Sequence, residues 1–429
     1  MQSIKIRYPN RVSIILFLLP ILTIFTINIV GQLMLSDIVV ALIAPILFFN
    51  KNIKKKQPYL KKIMFLLFLW LLSAIISDII NETSFENLLR GVAAIIFFGL
   101  HIFVIFVLVD TKRERLTALI LGTSISFILL LIFGGDVYSF DDGKNTPWKM
   151  GVGFGITILF VMILGYWIKN ERNKARVLLL FSPIHLFLNA RSLFLTVALS
   201  GFISAFHIKV HSKKKRIFIV TTIFFLTFFI APFAMNYYGK LNQEGFFGVQ
   251  AQEKYLMQTG GGKINIFLAG RSEIIISLIA ISDSPLFGYG SWATSKKYFR
   301  MYLIRLKKMG KRINQKAELS KHRYLIPAHS MLTSAWLWHG FIASLFWFYI
   351  LFLSLKALSI AISGERQLLL RDILMVVALI WDIFFSPFGQ ARRCIEVVYI
   401  LVVCIILSEE KEYINKKRKK IYEFKKNNC

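Results

Sequence analysis

Long apolar stretches, nearly free of charge, return along the whole length of this chain and dictate what it can become. They lie near 12-30, 32-49, 63-80, 88-109, 116-134, 150-168, 175-189, 192-208, 216-235, 329-356, 369-387 and 393-408. A helix needs roughly 20 such residues to cross the hydrocarbon core of a bilayer. The pattern therefore predicts an all-α polytopic membrane protein with about twelve transmembrane helices. Composition closes the other options. With 56% hydrophobic residues among 429, the chain carries far more apolar surface than a soluble fold of this size, and 18% charged residues exclude disorder. Three cysteines, Cys394, Cys404 and Cys429, fall in or near the last span or at the C-terminus, away from any exposed loop that could hold a disulfide framework.

The net charge of +30 is largely topological. Basic residues retain loops on the cytoplasmic side during insertion. Placing the N-terminus inside puts Lys5, Arg7 and Arg11, the lysines from Lys51 to Lys62, the segments Lys112 to Arg115, Lys169 to Arg176 and Lys209 to Arg216, and the tail from Lys416 to Lys426 in the cytoplasm. Outer segments then carry Glu82, Glu86, Asp136, Asp141 and Asp142. The first apolar run contains Pro20 and lacks a small-residue cleavage pattern, so it reads as a retained anchor. Four regions follow: 1-235 with nine spans, a large outer loop 236-328, three further spans in 329-408, and a basic cytoplasmic tail 409-429.

The outer loop breaks the charge rule. It holds fifteen Lys and Arg against five Asp and Glu, and eleven of the bases crowd between Lys296 and Arg323. Long loops translocate regardless of charge, but such a surplus attracts anions. Contact with anionic headgroups and recruitment of a phosphate-bearing lipid or acidic glycan are both open readings, with Lys296, Lys297, Arg300 and Arg323 the candidate contacts. Within the loop, Ile264 to Ser282 has helical periodicity and an apolar face, predicting a helix at or dipping into the interface with Arg271 in its first turn. A cation there opposes the helix dipole, which points to an anionic partner. The following Ser284 to Gly290 reads as a tight turn; it lacks the Lys-Ser/Thr of a phosphate-binding loop.

Arg191 lies between two apolar runs at an outer membrane edge, where a guanidinium calls for an anionic partner such as phosphate. His329 opens the tenth span and faces outward; imidazole there can act as general base toward a hydroxyl. His339 falls ten residues deeper and reads as packed within the bundle, as do His101, His185 and His207. Asp37, Asp78 and Asp382 are expected to pair with Arg90, Arg191, Arg392 or Arg393, or else to orient an acceptor sugar. The outer face carries no metal-ligand spacing, so neither a metal nor a cofactor is expected.

Taken together, Arg191-Ser192 opening a span, Gly270-Arg271 ahead of Pro285-x-x-Gly288-x-Gly290, and His329-Ser330 followed by Gly340 resemble the O-antigen ligase and polymerase superfamily of bacterial envelope glycosyltransferases. Ala343 departs from the last position of the ligase pattern. The resemblance covers about 185 to 345 and rests elsewhere on topology. It implies a GT-C-like helical fold in the bacterial inner membrane, with both termini cytoplasmic and the site facing the periplasm. It also implies a donor glycan on undecaprenyl diphosphate and, as acceptor, a sugar hydroxyl of lipid A-core for a ligase or a second lipid-linked glycan for a polymerase. Arg191 and Arg271 would hold the diphosphate, His329 would deprotonate the acceptor, and Ser330 would lie beside it. Besides these glycolipids the bilayer is the expected partner, and nucleic acid is not. A glycolipid flippase is the reading from another class; it would need a polar route at mid-bilayer, whereas the chargeable residues gather at the outer mouth.

Overall fold

A computed structural model describes residues 10-29, 31-49, 59-133, 147-205, 236-259, 272-308, 324-363, 366-389 and 392-427, with isolated positions between them. The ninth apolar run, 216-235, lies almost wholly outside the described residues.

The chain is a mostly helical membrane protein. In order come α1 (Arg11–Ile21), a two-stranded hairpin of β1 (Thr26–Asn28) and β2 (Gln32–Met34), α2 (Leu35–Phe48), α3 (Leu60–Ile80), α4 (Phe85–Val109) and α5 (Arg113–Phe133). A wide helical turn, Trp148–Val152, leads into α6 (Gly153–Trp167), and α7 (Glu171–Phe181), the short α8 (Ile184–Phe187) and α9 (Arg191–Ala205) follow. The second half holds α10 (Val249–Thr259), α11 (Ser272–Asp283), α12 (Lys296–Lys308), α13 (Met331–Ser363), α14 (Leu370–Phe385) and α15 (Arg392–Asn427). Among the described residues, α3, α4, α5 and α13 are long and apolar enough to cross a membrane, while Arg11–Ile24, α2, α6 and α9 are shorter apolar helices.

The first two apolar runs correct the expectation of helix over 12-30 and 32-49. Helix stops at Ile24, beyond Pro20, and the chain turns through the antiparallel hairpin with Thr26 opposite Met34. Its β-branched run, Thr-Ile-Asn-Ile-Val, suits a pleated strand better than a helix, and Gly31 supplies the reversal at φ +147°. The Met34 amide then donates to Asp37 Oδ2 at 2.9 Å, closing the first turn of α2.

Lipid chains are as apolar as leucine, so helix association in a bilayer rests on close packing and polar contacts. Where α3, α4 and α13 meet, Trp70, Phe98, Phe346 and Trp347 form one aromatic knot with Phe388, ring centroids 5.1 to 6.5 Å apart. Each such pair adds about 0.5–1.5 kcal/mol beyond its buried area. At α1 and α5, Gly122 lies so close to Phe17 that a side chain there would overlap its carbonyl.

Several of the buried acids are paired with arginine. Arg393 reaches Asp37 at 3.1 Å and Arg392 reaches Asp382 at 3.0 Å, two of the expected partnerships, both made by the start of α15. Asp78 takes a different partner, described below. At the opposite end of the bundle Arg113 joins Asp372 and Glu409, Arg366 joins Glu409, and Glu171 accepts from the Leu370 amide at 2.9 Å.

These contacts orient the helices. Leu370, beside Glu171, starts α14; Ile383 near its far end accepts from Ser330, just before α13. On α9, Gly201 packs on Leu179 and Ala175 of α7, so Arg191, ten residues earlier, lies roughly 15 Å nearer the end where Ser330 sits. The heads of α9 and α13 therefore open the same end of the bundle, together with α11 and α12.

Candidate functional site

The helix α13 is broken. Gly340 has φ 79° and ψ −177°, a conformation essentially reserved for glycine. A break inside an apolar layer strands carbonyls that must find donors within the protein. They find them in the turn between α11 and α12. Tyr289 N donates to Leu337 O and Gly290 N to Trp338 O, each at 2.9 Å, while Ser77 and Ser73 of α3 donate to Trp338 O (2.7 Å) and His339 O (2.5 Å). In the other direction Phe341 N and Trp336 Nε1 donate to Pro285 O at 3.1 and 2.8 Å. The segment Pro285 to Gly290 is thus a plug seated in the break. Gly288, at φ +72°, sits where a Cβ would stand 2.6 Å from Leu337 O.

Asp78 secures the far side of the plug by accepting from Ser291 N at 2.5 Å and Ser291 Oγ at 2.9 Å, charge-assisted bonds that are stronger than neutral ones. Ser291 Oγ also meets His339 Nε2 at 3.0 Å, and Trp70 Nε1 donates to His339 Nδ1 at 3.0 Å. Indole only donates, so Nδ1 is the acceptor and Nε2 carries the proton. His339 is a buried neutral joint between α3, α13 and the plug. His185 is held the same way by Trp148 (3.1 Å), and His101 is buried beside Asp37; His207 lies outside the described residues.

Above the plug, α11 and α12 form a small core of their own, in which Ile276, Ala280 and Ile281 pack with Ala293, Tyr298, Ile326 and Leu337. The apolar face of α11 is thus turned to α13 and the loop. The described helix runs over Ser272–Asp283, and the earlier part of the periodic stretch, including Arg271 and the rest of 262-271, lies outside the described residues. Asp283 ties the two helices, accepting from Lys297 at 2.7 Å and Tyr298 at 2.5 Å; these bonds hold its carboxyl below the usual range. Lys296 lies over the Tyr324 ring at 5.7 Å, and Arg300 is exposed. Arg323 lies outside the described residues.

His329 stands two residues before the first residue of α13, outside the helix. Its side chain is 52% exposed, and its Nδ1 stands 3.5 Å from Glu273 Oε2, in the first turn of α11. Sequence reasoning passed over Glu273; its signal was a lone acid two residues after Arg271 in a basic loop. Ser330, by contrast, is buried, and its hydroxyl donates to Ile383 O (2.9 Å) and accepts from Thr333 N (3.1 Å). The hydroxyl thereby caps the first turn of α13. Ser330→Ala should cost about 1 kcal/mol of thermal stability and leave activity per folded molecule within about threefold, a shift of under 1 kcal/mol in barrier.

Arg191 heads α9, half-buried, with its guanidinium 5.7 Å from the centre of the Tyr238 ring and within Coulombic reach of Lys149. Its neighbourhood is fixed from below: Ala190 N donates to His185 O at 2.7 Å, and Gly153 leaves room for Leu193 and Trp148 to meet over it. Two cations near one another on the end of the bundle that carries His329 make an anion-attracting mouth. No family model, curated protein or solved structure matches this chain.

Proposed function

We propose that the chain is an O-antigen ligase-like glycosyltransferase, metal-independent and inverting, of the bacterial inner membrane. It moves a glycan from undecaprenyl diphosphate to a sugar hydroxyl of lipid A-core on the periplasmic face. In this reading His329 takes the proton of the acceptor hydroxyl, and the freed oxygen attacks the anomeric carbon. The bond from that carbon to the diphosphate breaks, its electron pair leaves with undecaprenyl diphosphate, and the imidazolium later returns its proton to water. Arg191 and Arg271 receive the charge that builds on the departing diphosphate. Fixed guanidiniums at a half-dry edge do this better than water, because they need no reorientation as charge develops.

The observation that carries the reading is the shared end: an exposed histidine beside a carboxylate, on the same face of the bundle as a half-buried arginine with a second cation nearby. The plug brings Pro285, Gly288, Gly290 and Gly340 together, and α11 is held to the segment that carries His329 through Ser277 and Pro327, which supports the reading. The exposed bases Lys296 and Arg300 line the approach for anionic lipid.

Lipopolysaccharide gels of a strain lacking the protein test the reading. Long chains left on undecaprenyl diphosphate are the expected result. Single-repeat caps on lipid A-core would instead mark a polymerase acting on a lipid-linked acceptor, and an unchanged profile would contradict both. In purified protein, Arg191→Ala should slow transfer by a factor matching loss of one preorganised donor, about 2.7–4 kcal/mol of barrier.

A further inference from the structure

We infer that Glu273 is the positioning residue for His329: it fixes the imidazole with Nδ1 turned to a carboxylate and Nε2 left as the basic nitrogen for the acceptor hydroxyl. This rests on the proposed transfer reaction. The geometry has three parts. Glu273 Oε2 stands 3.5 Å from His329 Nδ1. Its other oxygen, Oε1, accepts from the Tyr302 hydroxyl of α12 at 3.3 Å, which restrains rotation of the carboxylate. One turn further along α11, Ser277 Oγ donates to Pro327 O at 2.5 Å and pins the backbone two residues before the histidine. The helix therefore grips the strip 327-329 at the backbone and at the ring.

A carboxylate in the first turn of a helix is favoured by the backbone dipole. Set against Nδ1, it selects the tautomer that carries its proton there and leaves the lone pair on Nε2. When Nε2 takes the acceptor proton, the same carboxylate stabilises the resulting imidazolium; no proton passes to Glu273 itself. Glu273 of α11 faces this ring, and Tyr302 of α12 stands behind that carboxylate.

The test is steady-state transfer by the purified full-length chain, with a defined undecaprenyl-diphosphate-linked glycan as donor and lipid A-core as acceptor. Glu273→Gln keeps the shape and removes the charge. Its kcat should fall roughly 100-fold or more while KM for both substrates stays within about threefold. Glu273→Asp, which retains a carboxylate, should recover much of the loss. In a His329→Ala background, Glu273→Gln should cost nothing further, because the two act as a unit; a merely structural glutamate would lower that residual rate again. Full activity in Glu273→Gln alongside a dead His329→Ala would overturn the inference and leave the reaction standing. Full activity in His329→Ala would overturn both.

Discussion

His329→Ala is expected to lower glycan transfer roughly 10²- to 10⁴-fold, the range that a positioned general base supplies. The expectation follows from where the side chain sits. It is half exposed, it precedes α13 instead of packing inside it, and its ionic neighbour, Glu273, lies in the first turn of α11, a place the helix dipole favours for a carboxylate. Truncation therefore removes chemistry without opening a cavity, and thermal unfolding in detergent should stay within about 1 kcal/mol of wild type, as for substitutions that break no buried contact. His339→Ala should behave in the opposite sense. That ring is buried and bonded on both nitrogens, so its loss damages the fold, and activity falls only as folded protein is lost. Single-turnover transfer normalised to folded protein separates the two histidines. Equal effects would contradict the assignment.

Gly340→Ala is the second large effect, and it acts on structure. At φ 79° and ψ −177° a side chain is strained by about 1–3 kcal/mol. The added Cβ would also overlap the Leu286 carbonyl, and overpacking of that kind costs another 1–3 kcal/mol. Together, roughly 2–6 kcal/mol should be lost. Because the plug bonds to Leu337, Trp338 and Phe341, pushing it out also strands carbonyls in an apolar layer. Gly389→Ala, where a Cβ meets nothing within 4 Å, is the control and should be neutral. Detergent thermal unfolding followed by size exclusion reads both. A Gly340→Ala protein as stable as the control would mean that the break does not need glycine.

Apolar run length carried the helical architecture, because a span's length is set by the bilayer and can be read locally. The hairpin at 26-34 escaped that reading: hydropathy does not distinguish β-branched strand from membrane helix, and both are apolar. The site was legible in part. His329 and Arg191 stand out because chargeable groups at a membrane edge are scarce. The plug was not legible, since Ser284 to Gly290 looks like an ordinary turn until Gly340, fifty residues on, is seen to receive it. Ser330 was ambiguous for a related reason: a serine after a candidate base has the same letters whether it faces a substrate or caps a helix. Glu273 was hidden in plain composition, where an acid in a first helical turn already has a local explanation.

The central claim is that one end of this bundle transfers a glycan off a polyprenyl diphosphate using His329 and the arginines Arg191 and Arg271. The most direct measurement incubates purified protein in detergent with a labelled lipid-linked glycan and a sugar-hydroxyl acceptor, and quantifies new glycoside and released undecaprenyl diphosphate together. The two products are expected to appear in equal amounts with wild type, to fall together by roughly 10²- to 10⁴-fold with His329→Ala, and to fall sharply with Arg191→Ala. Glycoside formed at the wild-type rate by either variant, or diphosphate released without any glycoside, would contradict that claim.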